Sequence, residues 1–184
     1  MTAKSIAFKQ KAIGLDYEAC LAANGLLKHD PVHRGFNIVS RLGDGVLWYA
    51  IILSLPLLIP EDGPLLAVLM TLIGLLNVYV YKRIKKSLAR PRPFMIYPAI
   101  QKGTRVLDEY SFPSGHTLHA VTFSIILSAY NPLLASVLVP FALATGLSRV
   151  VLGVHFPSDV LVGAFIGIVH GSLAILLLTW LNLI

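Results

Sequence analysis

Phe112-Pro113-Ser114-Gly115-His116 opens the stretch that decides the fold, and Ser148-Arg149, His155 and Asp159 close it. Between these motifs, Thr117 to Ser148 contains no Asp, Glu, Lys or Arg, and Asn131-Pro132 breaks it near the middle. An Asn-Pro pair is a turn signal. The stretch therefore reads as two antiparallel apolar helices joined by a short turn, with a polar motif at each outer end. Upstream lies a basic run in which Lys85 stands seven residues before Arg92-Pro93. Downstream, Val160 to Ile184 is uncharged apart from any charge on His170.

The composition agrees with lipid as the solvent. Of 184 residues, 56% are hydrophobic and 13% charged, against about 45–50% and about 25% in soluble domains. The net charge of +6 would suggest nucleic acid in a soluble chain. Here the cations lie in the first forty or so residues and in 82–105, flanking apolar segments. Anionic headgroups or a phosphorylated substrate are the better partners, and no nucleic acid is expected. The single Cys20 excludes an intrachain disulfide and any Cys-rich metal site. No signal-peptide h-region is legible in residues 1–44, which Lys11, Asp16, Glu18, Lys28 and Asp30 interrupt.

In chain order, Ile13, Tyr17, Cys20 and Leu21 are spaced for an amphipathic helix over about 13–28. Pro31 ends it, because the residue before a proline is pushed out of the helical region. A second short helix is expected over Val32–Leu42. An interfacial location suits both, and a cap packed on the bundle is the alternative. Gly45–Pro60 is uncharged, Glu61-Asp62-Gly63-Pro64 is a turn, and Gly63–Tyr81 is uncharged again. Residues 82–112 read as a polar loop rich in cations and prolines, and 149–159 as a second. The expected fold is all-α: a single domain, 1–184, with an interfacial region 1–44 and a multi-pass transmembrane bundle 45–184. Its five spans fall at about 42–60, 64–81, 116–130, 132–148 and 158–182. By parity alone, the N-terminal region and both polar loops share one face.

That face carries the parts for phosphoryl chemistry. N–H groups at a helix start form an anion site. The starts at Pro113-Ser114-Gly115-His116 and Phe156-Pro157-Ser158-Asp159 would both face the pocket. Gly115 allows close backbone approach. Arg149 and Arg92 can grip phosphate oxygens with planar forks, and Lys85 adds a point charge. His155 and His116 can attack or move protons near neutral pH. Asp159, four residues after His155, can hold its Nδ1–H and leave Nε2 free.

Lys85-x6-Arg92-Pro93, Pro113-Ser114-Gly115-His116 and Ser148-Arg149-x5-His155-x3-Asp159 resemble the three signature motifs of the type 2 phosphatidic acid phosphatases (PAP2). These are integral-membrane lipid phosphate phosphatases. The resemblance implies that His155 is the nucleophile of a phosphohistidine and Asp159 its orienter. It implies that His116 protonates the leaving oxygen and then activates water. Lys85, Arg92, Ser114, Gly115 and Arg149 would hold the phosphate, with no metal and no cofactor. Family members often have six spans; here the charged 1–44 region replaces the first.

The expected activity is metal-independent hydrolysis of the terminal phosphate of a lipid phosphate or diphosphate. An isoprenyl diphosphate, phosphatidic acid and phosphatidylglycerol phosphate all fit. A lipid phosphotransferase and a non-catalytic lipid-binding or transport protein are the rival readings, and the oligomeric state stays open. The expected location is the cell membrane. The motif face carries every Lys and Arg, so the positive-inside rule predicts a cytoplasmic site. His119 and His170 read as hydrogen-bonded bundle residues, Trp48, Tyr49 and Tyr79 as interface anchors, and Asp108-Glu109 as a feature that could steer or gate the pocket.

Overall fold

The computed structural model describes residues 3–183, with side chains from residue 10 onward, so the side chains of Lys4 and Lys9, and Ile184, lie outside the description. The helices are α1 (Ala3–Asn24), α2 (Asp30–Leu42), α3 (Val46–Leu58), α4 (Gly63–Leu88), α5 (Pro93–Ile96), α6 (Gly115–Tyr130), α7 (Ala135–Val151) and α8 (Pro157–Trp180). No strand occurs among the described residues.

Most boundaries follow local chemistry. Ser114 caps α6, its hydroxyl accepting from the Thr117 N–H, so Pro113 precedes the cap instead of sitting inside the helix. At Asn131 the side chain accepts the Leu133 N–H at 3.1 Å, fixing the turn that separates α6 from α7. Pro157 opens α8, and Asp159 accepts the Phe156 N–H at 2.8 Å. Two expected loops are shorter than the sequence suggested. α4 continues through Lys85 to Leu88 and α7 through Arg149 to Val151. Charged residues extend a helix readily when their heads reach polar partners, and these do.

α6 is the central helix and packs against α4, α7 and α8. Its approach to α8 depends on Gly163, Gly167 and Gly171, one per turn on the facing side. A Cβ at Gly163 would lie 2.5 Å from the Ser114 carbonyl oxygen, one at Gly167 2.8 Å from that of Leu118, and one at Gly171 2.9 Å from Ile125 Cβ. Small residues at this spacing let helix backbones meet closely, which is how helices associate without water to drive them together. Trp48 sits in the core that results. It is 2% exposed and packs on Phe123 and Phe141, which corrects its reading as an interface anchor. Tyr49 and Tyr79 are exposed.

Among the described residues, three stretches are long and apolar enough to cross a membrane: Gly63–Ile96, Pro132–Val151 and Pro157–Trp180. A fourth results if α2 and α3, bent by 47° at their junction, form one span. The expected count of five is not met by length. The 16 residues of α6 reach about 24 Å at ~1.5 Å per residue, short of a hydrocarbon core of about 30 Å. α6 is enclosed by its neighbours, and its apolar character serves packing.

The N-terminal helices pack against the bundle. α1 contacts α7 and α8, and α2 contacts α7. Cys20 and Asn24 are buried there. The Asn24 amide donates to the Gln101 and Val151 carbonyls at 2.9 and 3.0 Å and accepts the Gln101 N–H at 2.8 Å. The cap alternative describes these contacts better than a helix lying free on a membrane surface.

Candidate active site

A cavity of about 420 Å³ is lined at one end by Lys85, Arg92, Gly115, His116, Arg149 and His155. The other end is apolar, with Trp48, Ile52, Leu53, Met70, Leu75 and Val78 from α3 and α4. Sequence segments far apart thus meet in one pocket: α4, the 89–92 link, the start of α6, the end of α7 and the 152–156 loop.

His155 is 1% exposed. Its Nε2 faces the Arg92 Nη1 at 3.4 Å and its Nδ1 lies 3.4 Å from Asp159 Oδ2. Nδ1 makes no hydrogen bond there, and Oδ2 accepts the Phe156 N–H. Burial holds the His155 imidazolium well below the usual histidine range, and the nearby charges of Arg92, Arg149 and Lys85 act in the same direction. The ring is neutral at neutral pH, and the Arg92 Nη1 donor beside Nε2 suits the tautomer with its lone pair on that nitrogen.

The cations are buried and paired. Arg92 donates to the Val154 carbonyl at 2.7 Å and to Asp108 Oδ1 at 2.7 Å. Lys85 donates to the same Asp108 Oδ1 at 2.8 Å and to the Tyr110 carbonyl at 2.6 Å. Asp108 therefore places a carboxylate oxygen between the two cations. Arg149 donates to Ser40 Oγ, while its Nε has no partner.

The expected members divide. Lys85, Arg92, Gly115, His116, Arg149 and His155 line the cavity. Asp159 lies behind His155, fully buried and bonded to Arg90 at 2.7 Å. Ser114 does not line the cavity: it is fully buried, and its hydroxyl is 2.9 Å from Thr117 Oγ1. The start of α8 is not an open anion site either. Asp16 accepts the Ser158 N–H at 3.0 Å and pairs with Arg90 at 2.8 Å. His119 lines the cavity while its Nδ1 stays 2.9 Å from the Gly115 carbonyl. His170 is bonded to Asn77 at 2.6 Å, a packing role. Among the described residues, no group of three or more His, Cys, Asp or Glu is placed to hold a metal ion.

Sequence reasoning missed Asp16, Ser40, Asp44 and Arg90. Asp44 lies 2.7 Å from His116. All four are ordinary surface-type residues in the sequence, and only their fold neighbours distinguish them.

A profile of the PAP2 superfamily matches residues 64–183. The chain is 31% identical over 160 residues to the undecaprenyl-diphosphatase BcrC of Bacillus subtilis, covering 86% of this chain and 82% of that one. It is 37% identical over 91 residues to the decaprenylphosphoryl-5-phosphoribose phosphatase of Mycobacterium tuberculosis, covering 49% of each. The match thus spans about half the length of that mycobacterial relative. Among solved structures it resembles Aquifex aeolicus LpxE, with a TM-score of 0.74, 27% identity, and 85% and 92% of the two chains covered. The chain belongs to the PAP2 superfamily.

Proposed function

We propose that this protein is a multi-pass membrane phosphatase that removes the terminal phosphate of a lipid phosphate or diphosphate, through a phosphohistidine on His155 and without a metal. The observation that carries this reading is one cavity joining a cationic, two-histidine end to an apolar end between α3 and α4. A charged headgroup and a hydrocarbon tail each find a matching wall. Both relatives described above are named for polyprenyl lipids, so that class comes first for assay.

The steps follow from the residues. Arg92, Arg149 and Lys85, with the N–H groups at the start of α6, bind the phosphate oxygens, and Asp108 gives way. Nε2 of His155 attacks phosphorus, and the bond to the leaving oxygen breaks as His116 protonates it. Asp159 stabilises the positive charge that His155 gains. Water then attacks the phosphohistidine, His116 takes its proton, and the P–N bond breaks to release inorganic phosphate. Fixed cations supply the charge stabilisation that a metal would otherwise give, and such preorganised charge is the larger part of catalysis in many enzymes. Five traversals, with α6 crossing inside the bundle, would keep all these groups on one face.

The test uses the purified chain in detergent with a polyprenyl diphosphate. Release of inorganic phosphate should persist in excess EDTA and be inhibited by vanadate, and an acid-labile phosphoenzyme should form. Activity lost in EDTA and restored by Mg²⁺ would contradict the mechanism. Transfer of phosphate to an acceptor lipid in place of release would point to the phosphotransferase alternative.

A further inference from the structure

We infer that Asp44 is a positioning residue for the proton transfers at His116, so that the elbow between α2 and α3 belongs to the acid–base apparatus. The inference rests on the hydrolytic reading above. Asp44 Oδ1 lies 2.7 Å from His116 Nε2, and Arg105 Nη2 holds Oδ2 at 3.0 Å. The Asp44 side chain is only 8% exposed. Each carboxylate oxygen thus has one partner, and the group is fixed in its orientation.

The elbow is shaped for this contact. A Cβ at Gly43 would lie 3.2 Å from His116 Cδ2 and 3.3 Å from Thr145 Cγ2, so a residue without a side chain lets the backbone close on the imidazole edge. One turn earlier on α2, Ser40 meets Arg149. On the same stretch, His33 and Asn37 bond the Gly103 carbonyl at 2.8 and 3.2 Å. α2 is therefore anchored to the loop that carries Arg105. Two adjacent contacts from one short segment reach two cavity residues.

The chemistry follows from the ring geometry. With Nε2–H donated to Asp44, Nδ1 is the nitrogen left to exchange protons with the reacting oxygen. As the P–O bond breaks, the Nδ1 proton passes to the leaving oxygen and the ring becomes neutral, with Nε2–H still held. When water attacks phosphohistidine, its proton goes to Nδ1 and the P–N bond breaks. The imidazolium that results faces a carboxylate. A carboxylate in this position fixes the tautomer and stabilises the charged ring without itself being protonated. Asparagine keeps the shape but supplies no charge.

The experiment compares kcat/KM on an alkyl phosphate and on p-nitrophenyl phosphate for wild type, Asp44→Asn and His116→Ala, using full-length protein in detergent. An alkoxide needs a proton to leave, whereas p-nitrophenolate does not. Asp44→Asn is expected to lose about 10²-fold on the alkyl ester, within the usual range for general acid–base catalysis. The loss on the aryl ester should be smaller by about tenfold or more, since p-nitrophenolate leaves without a proton. Asp44→Glu should recover part of the alkyl rate, and Asp44→Asn should add little to His116→Ala. Equal losses on both esters, or no loss, would overturn the inference. If His116→Ala itself shows no dependence on leaving group, the hydrolytic reading fails instead. Arg105→Ala, at a side chain 65% exposed, guards against misfolding of the first variant. It should show the same preference for alkyl loss in weaker form, and its absence counts against the inference.

Discussion

At the scale of residues, the site depends on keeping one imidazole uncharged among cations. His155→Ala is expected to abolish both turnover and the phosphoenzyme, measured by acid-quenched labelling. Asp159→Asn should still bind substrate but lose about 10²-fold or more in kcat, since the carboxylate charge that stabilises His155 as it gains positive charge is removed. The same burial links His155 to stability. Its imidazolium is disfavoured in the folded state, so the unfolded chain binds the extra proton below its ordinary value of about 6.5. Stability then rises with pH through that window and falls on acidification. Thermal unfolding in detergent should show a midpoint that drops from pH 7 to pH 5, with a shallower drop in His155→Asn. An unchanged slope would mean that other groups carry the dependence.

At the scale of elements, two features make separate demands. The loop between α5 and α6 places Asp108 between Lys85 and Arg92, where it neutralises buried charge that would otherwise be costly. In the proposed reaction phosphate replaces it on binding. Asp108→Asn should therefore tighten inhibition by inorganic phosphate or vanadate several-fold, read from Ki in the hydrolysis assay, while lowering stability in the absence of anion. An unchanged or weaker Ki would show that the carboxylate does not compete with phosphate. The α6–α8 contact is a matter of space. Gly167→Val would put atoms within 3 Å of the Leu118 carbonyl and Val121. Overpacking of this kind costs about 1–3 kcal/mol, visible as a lower unfolding midpoint with the cavity residues intact.

At the scale of the whole molecule, the open question is which side of the membrane the cavity faces. Lys85, Arg92 and Arg149 line it, while the α3–α4 turn carries Glu61 and Asp62 and no Lys or Arg. The positive-inside rule predicts a cytoplasmic cavity. Asp62 accepts from the Tyr130 hydroxyl at 2.9 Å, so Glu61 is the better reporter position. Cys20 is fully buried, with its thiol pushed up to about 12, chiefly by burial, and Cys20→Ser removes any background. In intact cells, Glu61→Cys should be labelled by an impermeant maleimide. Protection until lysis would put the cavity outside.

The sequence by itself determined the kind of molecule. Charge-free stretches bounded by cations, and a turn at Asn131-Pro132, follow from local composition, so helices in lipid and their order could be read directly. Histidines, arginines and a lysine at motif spacing also named the cations and two of the histidines that line the cavity. Only the tertiary structure decided the rest. Asp44 meets His116 across 72 residues, and Asp16 meets Ser158 across 142, separations at which no periodicity carries information. Trp48 became core because α6 and α7 bring Phe123 and Phe141 to it. Ser114 turned inward because a helix start consumes its hydroxyl. A span at α6 is not confirmed by its length, because an apolar helix enclosed by protein and one facing lipid have the same composition. Which it is depends on the neighbours that surround it.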